Sequence, residues 1–248
     1  MGSLDGKNAL VTGGTAGIGL ASARALADAG AHVFLTGRNQ STIDAAVATI
    51  GPAATGVRSD VSDPAQLDAI VDAVTAHGGG LDVVFTNAGG GEFATLADTT
   101  VEHVNDTFTR NVAGTLFTVQ KMLPLLNSGA SVILAGSTAA SRGVPSFGAY
   151  AASKAAVRSL GRTWAAELAE RGIRVNTLVP GPIETPGLVG LAPAGGEQEL
   201  LEQLTADVTL GRIGQPEEVA AAVVFLASAA SSFMTGSELF VDGGEVQT

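Results

Sequence analysis

The sequence contains no cysteine, which removes disulfide bonds, thiolate nucleophiles and cysteine-ligated metals from consideration. Its three histidines, His32, His77 and His103, are far apart and fall on different predicted elements, so no metal site is expected. Aromatic residues make up only 4% of the chain, with one tyrosine, Tyr150, and one tryptophan, Trp164. Any chemistry that needs a phenol therefore falls to Tyr150, while Trp164 reads as a core or interface anchor. Cations are also scarce. Thirteen Lys and Arg against 24 Asp and Glu give a net charge of −11 with no local basic patch, so neither nucleic acid nor an acidic membrane surface is an expected partner. No uninterrupted apolar stretch reaches the roughly 18 residues of a membrane span, and Met1 to Lys7 lacks the apolar centre of a secretion signal. A cytoplasmic location is the expectation.

What the chain does have is 46% hydrophobic residues and 33 glycines. Short β-rich runs at 8–12, 32–36, 55–58, 81–86, 131–135, 174–179 and 238–241 alternate with helical patterns at 18–29, 40–50, 64–77, 101–126, 150–171 and 216–227. Such alternation predicts right-handed crossovers around a parallel sheet: an α/β, doubly wound Rossmann-type fold of seven strands with helices on both faces. The 101–126 segment is interrupted at Asn111 and Gly114 and reads as one helix or two; Asp63-Pro64 and Gln215-Pro216 are helix-start signals. Residues 1–248 are expected to form a single domain, and the Gly/Pro-rich break that begins at Pro180 predicts a substrate lid over about 181–215.

The first strand runs into Thr12-Gly13-Gly14-Thr15-Ala16-Gly17-Ile18-Gly19, after which a helix begins. Gly13 allows a sharp turn, Gly17 a close backbone approach to a pyrophosphate, and Gly19 close packing of helix on sheet, while the helix N-terminus offers free N–H groups. By itself such a loop is also an ordinary turn; its place between strand and helix selects dinucleotide binding. The second strand ends at Thr36-Gly37-Arg38, with no carboxylate for a ribose 2′-hydroxyl. Arg38 reads either as a solvated loop cation or as the fork that takes a 2′-phosphate, which favours NADP(H) over NAD(H).

Tyr150 stands four residues before Lys154 at the start of a helical stretch, so the two share one helix face. Such a pair is often only a packed tyrosine beside a snorkelling lysine. It is also a sensible acid/base pair, because an ammonium draws the phenol pKa down from about 10. Ser137, just past the fifth strand at the carboxyl edge where open α/β sheets bind ligands, is placed to hydrogen-bond a substrate carbonyl. Phe93, Val144, Phe147 and Leu188, with Val189 and Leu191, predict an apolar pocket for an uncharged ketone or secondary alcohol of modest size.

These residues, together with Asp60-Val61, Asn87-Ala88-Gly89, Asn111-Val-Ala-Gly114, Pro180-Gly181 and Val241-Asp-Gly-Gly244, resemble the single-domain short-chain dehydrogenases/reductases along nearly the whole chain. The resemblance implies an NAD(P)-dependent carbonyl reductase or secondary-alcohol dehydrogenase. It makes Tyr150 the acid/base and Ser137 the carbonyl-orienting group. Lys154 would hold the nicotinamide ribose and lower the Tyr150 pKa, and Asn111 would interrupt a helix and hold a proton-relay water. It further implies adenine contacts from Asp60 and Val61 and ribose contacts from Asn87, Ala88 and Gly89. Thr15 and Ile18 of the glycine loop, Pro180, Gly181, Ile183 and Thr185 would complete the cofactor site, and a homotetramer is the implied assembly. Thr86 departs from the family pattern, where many members carry a second asparagine. Two other readings stay open. One is a 3-oxoacyl-[acyl-carrier-protein] reductase, disfavoured because Leu123–Ala130 carries no cation for an acidic carrier and Lys121 and Arg171 are the nearest candidates. The other is a non-catalytic dinucleotide sensor, disfavoured because Asn111, Ser137, Tyr150 and Lys154 are all present.

Overall fold

Successive side chains of a strand point to opposite faces of its sheet, and a strand buried on both faces must be apolar throughout. The first strand, β1 (Asn8–Val11), meets that condition, with all four residues buried. A computed structural model describes residues 2–248 and places β1 in the interior of one seven-stranded sheet, between β2 and β4. The others are β2 (His32–Gly37), β3 (Ala54–Arg58), β4 (Leu81–Thr86), β5 (Leu126–Ala135), β6 (Arg174–Pro180) and β7 (Glu238–Val241). Every pairing is parallel, in the order β3-β2-β1-β4-β5-β6-β7.

The pleat divides the core in two. Leu10, Phe34, Val84, Val132 and Val175 face helices α3 (Asp68–His77), α5 (Gly114–Met122) and α6 (Gly148–Glu167). Val11, Leu35, Phe85, Ile133 and Leu178 face α1 (Gly17–Asp28), α2 (Gln40–Ile50) and α9 (Pro216–Ala227). Chain order reverses direction between β1 and β4, and a doubly wound sheet opens its crevice at that switch point, beyond the carboxyl ends of the strands.

Three sequence expectations are corrected. Pro64 does not start a helix, because Asp63 caps its own turn by accepting from Ala65 N (3.0 Å) and Gln66 Nε2 (3.1 Å), and α3 begins only at Asp68. The 101–126 segment is α4 (Val101–Phe108), a π-helical turn (Thr109–Ala113), α5 and a short 3₁₀ turn; Leu126 already opens β5. The fifth strand also begins earlier than the 131–135 run, with a break in its register where Gly129 takes φ +79° and the pairing shifts from Leu81↔Leu126 to Val83↔Ser131. Within the stretch 181–215 the backbone is partly helical. Pro186–Val189 (α7) forms one turn, with the Thr185 hydroxyl accepting from Leu188 N (3.1 Å), and Glu197–Ala206 (α8) is a full helix with Glu197 and Glu199 in its first turn.

Candidate active site

A cleft of ≈ 680 Å³ runs along the carboxyl edge of the sheet, from the glycine turn after β1 to the helices α7 and α8. At its β1 end, Gly13 and Gly17 take positive φ (64° and 50°). A Cβ on Gly19 would lie 2.1 Å from the Gly13 carbonyl oxygen, so the close crossing of α1 over the turn depends on that glycine. The N-terminus of α1 has neither a side-chain cap nor an acidic residue in its first turn, which leaves its N–H groups to an anion. Asn87 Nδ2 donates to the carbonyls of Thr12 (3.1 Å) and Gly13 (3.2 Å), and the Thr12 hydroxyl accepts from Ala88 N (3.0 Å). The turn is thus tied to β4. Thr15, Ile18, Arg38, Asp60, Val61, Gly89, Pro180, Gly181, Ile183 and Thr185 line the same cleft.

Arg38 makes no ion pair among the described residues, and its neighbour across the sheet is a second cation. Parallel pairing sets Gly37 beside Arg58, whose Nε donates to the Arg38 carbonyl (3.1 Å). Arg58 was not singled out from the sequence because only the β2–β3 register brings it to this edge.

At the other end, β5 delivers Ser137, and the first turn of α6 delivers Tyr150 with Lys154 one turn on. The Ser137 hydroxyl stands beside the Tyr150 phenol, close enough to draw its pKa down. Lys154 is buried, its Nζ 2.9 Å from the Ala135 carbonyl oxygen and 5.6 Å from the centre of the Tyr150 ring. Asn111 lies in the π-helical turn; its Oδ1 accepts from Gly90 N (3.0 Å) and its Nδ2 donates to Gly90 O (2.9 Å) and Ser153 Oγ (2.8 Å). Ser153 Oγ in turn donates to the Tyr150 carbonyl (2.7 Å). The amide of Asn111 thereby clamps the Gly90 loop to the first turn of α6.

The electrostatics differ from the expectation that Lys154 lowers the Tyr150 pKa. Burial raises the phenol above its ordinary value, opposed only by the neighbouring Ser137 hydroxyl. The same burial lowers Lys154 to about 8, and its ammonium faces the Ala135 carbonyl rather than the phenol oxygen. Desolvation outweighs attraction here because Lys154 is buried and the half-buried Tyr150 ring is packed between Phe147 and the Gly91 backbone.

Phe93, Val144, Phe147 and Leu188 all line the cleft. Phe147 stacks on Tyr150 (centroids 4.3 Å) and packs against Phe93 (4.8 Å). Ser146 N-terminal to it holds φ 60°, and its carbonyl accepts from Ala94 N (2.7 Å), which joins the two loops that carry these rings. Backbone packs on the other side of the phenol: a Cβ on Gly91 would lie 2.6 Å from Tyr150 Cδ2. The pocket is not wholly apolar, however. Arg110, Arg142 and Glu245 also line it, and none of the three was anticipated. His32 and His77, expected to be unrelated, stack at 4.1 Å on a sheet face remote from these groups, with His32 bonded to Thr55 (2.9 Å). No group of three or more potential metal ligands occurs among the described residues.

A family model described as enoyl-(acyl carrier protein) reductase matches residues 13–245. A solved structure of a short-chain dehydrogenase/reductase family protein superposes with a TM-score of 0.86 at 42% identity, covering 99% of this chain and 100% of that one. The chain belongs to the short-chain dehydrogenase/reductase family. Relatives within that family include the oxidoreductase asL5 of Sarocladium schorii, 44% identical over 98% of this chain and 97% of its own length. The 2,5-dichloro-2,5-cyclohexadiene-1,4-diol dehydrogenase of Sphingobium indicum is 37% identical, covering 98% of each chain. The 2-keto-3-deoxy-L-fuconate dehydrogenase of Xanthomonas campestris is 38% identical over 97% of this chain and 80% of its own. As a member of this family the protein is an oxidoreductase of alcohol and carbonyl groups that uses a nicotinamide cofactor. No helix among the described residues is long and apolar enough to cross a membrane.

Proposed function

We propose that this short-chain oxidoreductase is an NADP(H)-preferring carbonyl reductase that acts on uncharged ketones, with Tyr150 as the proton donor. The observation that carries the reading is the pairing of the Ser137 hydroxyl with the Tyr150 phenol on the wall of a cleft whose other end is an uncapped helix N-terminus behind a glycine turn. The two ends suit a dinucleotide. The α1 N-terminus and the glycine backbone offer N–H donors to a pyrophosphate, Arg38 and Arg58 offer cations to a 2′-phosphate, and Lys154 offers its ammonium to a ribose hydroxyl. Bound nicotinamide supplies the hydride.

The chain's own residues supply the rest. A carbonyl oxygen between Ser137 and Tyr150 accepts from both hydroxyls, so two donors stand where negative charge develops. Because burial raises the Tyr150 pKa, the phenol is protonated across neutral pH and can act as the acid of the reductive direction. Lys154 holds the phenol's surroundings positive when charged, and the Asn111–Ser153 clamp fixes the turn of α6 from which Tyr150 projects. Phe93, Phe147 and Leu188 exclude water from the reacting carbonyl. Carrier-linked acyl substrates fit less well: Lys121 is engaged by Asp68 (2.5 Å) and Arg171 by the carbonyls of Leu123 and Leu126 (3.0 and 2.5 Å), which leaves neither to dock an acidic carrier.

The test is ketone-dependent oxidation of NADPH and of NADH, followed at 340 nm, over a panel of uncharged ketones and one β-ketoacyl thioester. Faster NADPH oxidation with ketones is the expected result, and Tyr150→Phe should abolish it while cofactor binding persists. Turnover of the thioester alone would overturn the substrate reading, and substantial activity in Tyr150→Phe would overturn the assignment of the acid.

A further inference from the structure

Beyond Ser137 and Tyr150, the cleft ends in a cluster of charges that the reaction as described does not use. Arg142 follows the short helical turn that begins at Ser137, and Glu245 follows β7. Between them stands an ion pair of 3.2 Å, Arg142 Nη1 to Glu245 Oε1, and Arg142 Nη2 reaches Asp207 Oδ2, at the end of α8, at 2.6 Å. The Thr138 hydroxyl also lies beside Glu245 and opposes the rise that burial gives its pKa. The turn that presents Glu245 is rigid: Asp242 accepts from Gly244 N (3.0 Å) through Oδ1 and from Val246 N (3.1 Å) through Oδ2, and Gly243 and Gly244 both hold positive φ. The side chain of Glu245 is only 6% exposed, and its Oε2 has no hydrogen-bond partner among the described residues.

A buried acceptor without a donor costs free energy, and natural proteins retain few of them. The charge count identifies what suits this one. One guanidinium faces two carboxylates, and a third, Asp242, stands nearby, so the cluster is net negative and repels a substrate carboxylate. An uncharged donor faces no such repulsion. Thr138, which touches Glu245, is the neighbour of Ser137, so the free acceptor lies a short reach from the carbonyl-binding hydroxyl.

We propose that Glu245 is a specificity-determining residue whose Oε2 accepts a hydrogen bond from a substrate hydroxyl a few bonds from the carbonyl, making hydroxyketones the preferred substrate class. Arg142 is its positioning residue, held between Asp207 on α8 and the carboxylate it orients. The proposal rests on the carbonyl-reductase reading and narrows it.

Four probes of similar size separate the possibilities: 4-hydroxy-2-butanone, 4-methoxy-2-butanone, 2-pentanone and 4-oxopentanoate. With the wild-type protein, kcat/KM for the hydroxyketone should exceed that for the methoxy and alkyl ketones by at least about tenfold, since only the first can donate to an otherwise unpaired group. The carboxylate should be the poorest of the four. In Glu245→Met, of similar length and without an acceptor, the ratio of hydroxyketone to alkyl ketone should fall to about one. Equal wild-type rates for hydroxy and methoxy ketones overturn the proposal even if the variant does not fold, as does a ratio that survives in a folded Glu245→Met. Preference for the carboxylate overturns it in favour of an Arg142 anion site. Silence with all four ketones removes the carbonyl-reductase reading itself, and the Glu245 assignment with it.

Discussion

Replacing Lys154 by methionine removes a buried charge while leaving its space filled. The lowering of the ammonium from 10.5 to about 8 corresponds, at about 1.4 kcal/mol for each tenfold change, to about 3 kcal/mol spent on keeping that charge in the interior. The variant also forfeits the bond to the Ala135 carbonyl, which is worth about 2 kcal/mol for a charged donor. At pH 7 the cofactor-free variant should therefore be more stable than the wild type by about 1 kcal/mol, or roughly 2–4 °C in Tm for a chain of this size. The sign with pH follows. The folded protein binds fewer protons than the unfolded chain between about 8 and 10.5, so wild-type stability rises through that window as the buried charge is lost. The advantage of Lys154→Met should be greatest below pH 8 and should vanish as pH approaches 10.5. Urea unfolding of both proteins at several pH values measures it, alongside ketone reduction, which the variant should lose. A variant no more stable at pH 7, or a stability gap that does not shrink on raising the pH, would refute the claim that burial dominates at Lys154.

Two further substitutions test other parts of the cleft. Gly91→Ala places a methyl group within 2.6 Å of the Tyr150 ring and 2.8 Å of Phe147; a phenol displaced by about 1 Å should lower kcat about a hundredfold, with little change in cofactor affinity by fluorescence titration. Arg38→Asp exchanges an attractive partner for a repulsive one at the adenosine end and should lower the NADPH-to-NADH ratio of kcat/KM by at least about tenfold. An unmoved ratio would leave Arg38 as a surface cation.

The parts of this protein that could be read from its sequence are those encoded locally. The strands are short apolar runs closed by turn residues, and all seven lie where the runs do. Ser137 and Tyr150 were legible together because one ends a strand and the other starts the next helix, and both ends open on the same edge. The missed residues depend on register and on distant segments. Arg58 reaches Arg38 only through the β2–β3 pairing, and Glu245 meets Arg142 only because β7 joins the sheet beside β6. Helix α8 carried a usable signal in Glu197, Glu199 and the apolar pair Leu200 and Leu204, but the Gly/Pro-rich stretch before it masked the change of pattern. The direction of the Tyr150 pKa could not be read from the spacing to Lys154, because desolvation is a property of everything that surrounds the ring.

The π-helical turn at Thr109–Ala113 makes the length of this segment as consequential as its composition. The turn carries one residue more than an α-helical turn would, and it sets the two halves of the segment out of step by about a quarter of a rotation. One half, α4, packs on α6 while the other, α5, packs on β4 and β5. Deleting any one residue from the turn would restore a continuous α-helix and turn one half away from its layer, and it would carry Asn111 off Gly90 and Ser153. Families that keep such a turn should accept substitutions along it far more readily than they accept a single-residue insertion or deletion, so gaps in this segment will be rarer than in any exposed loop of the same length.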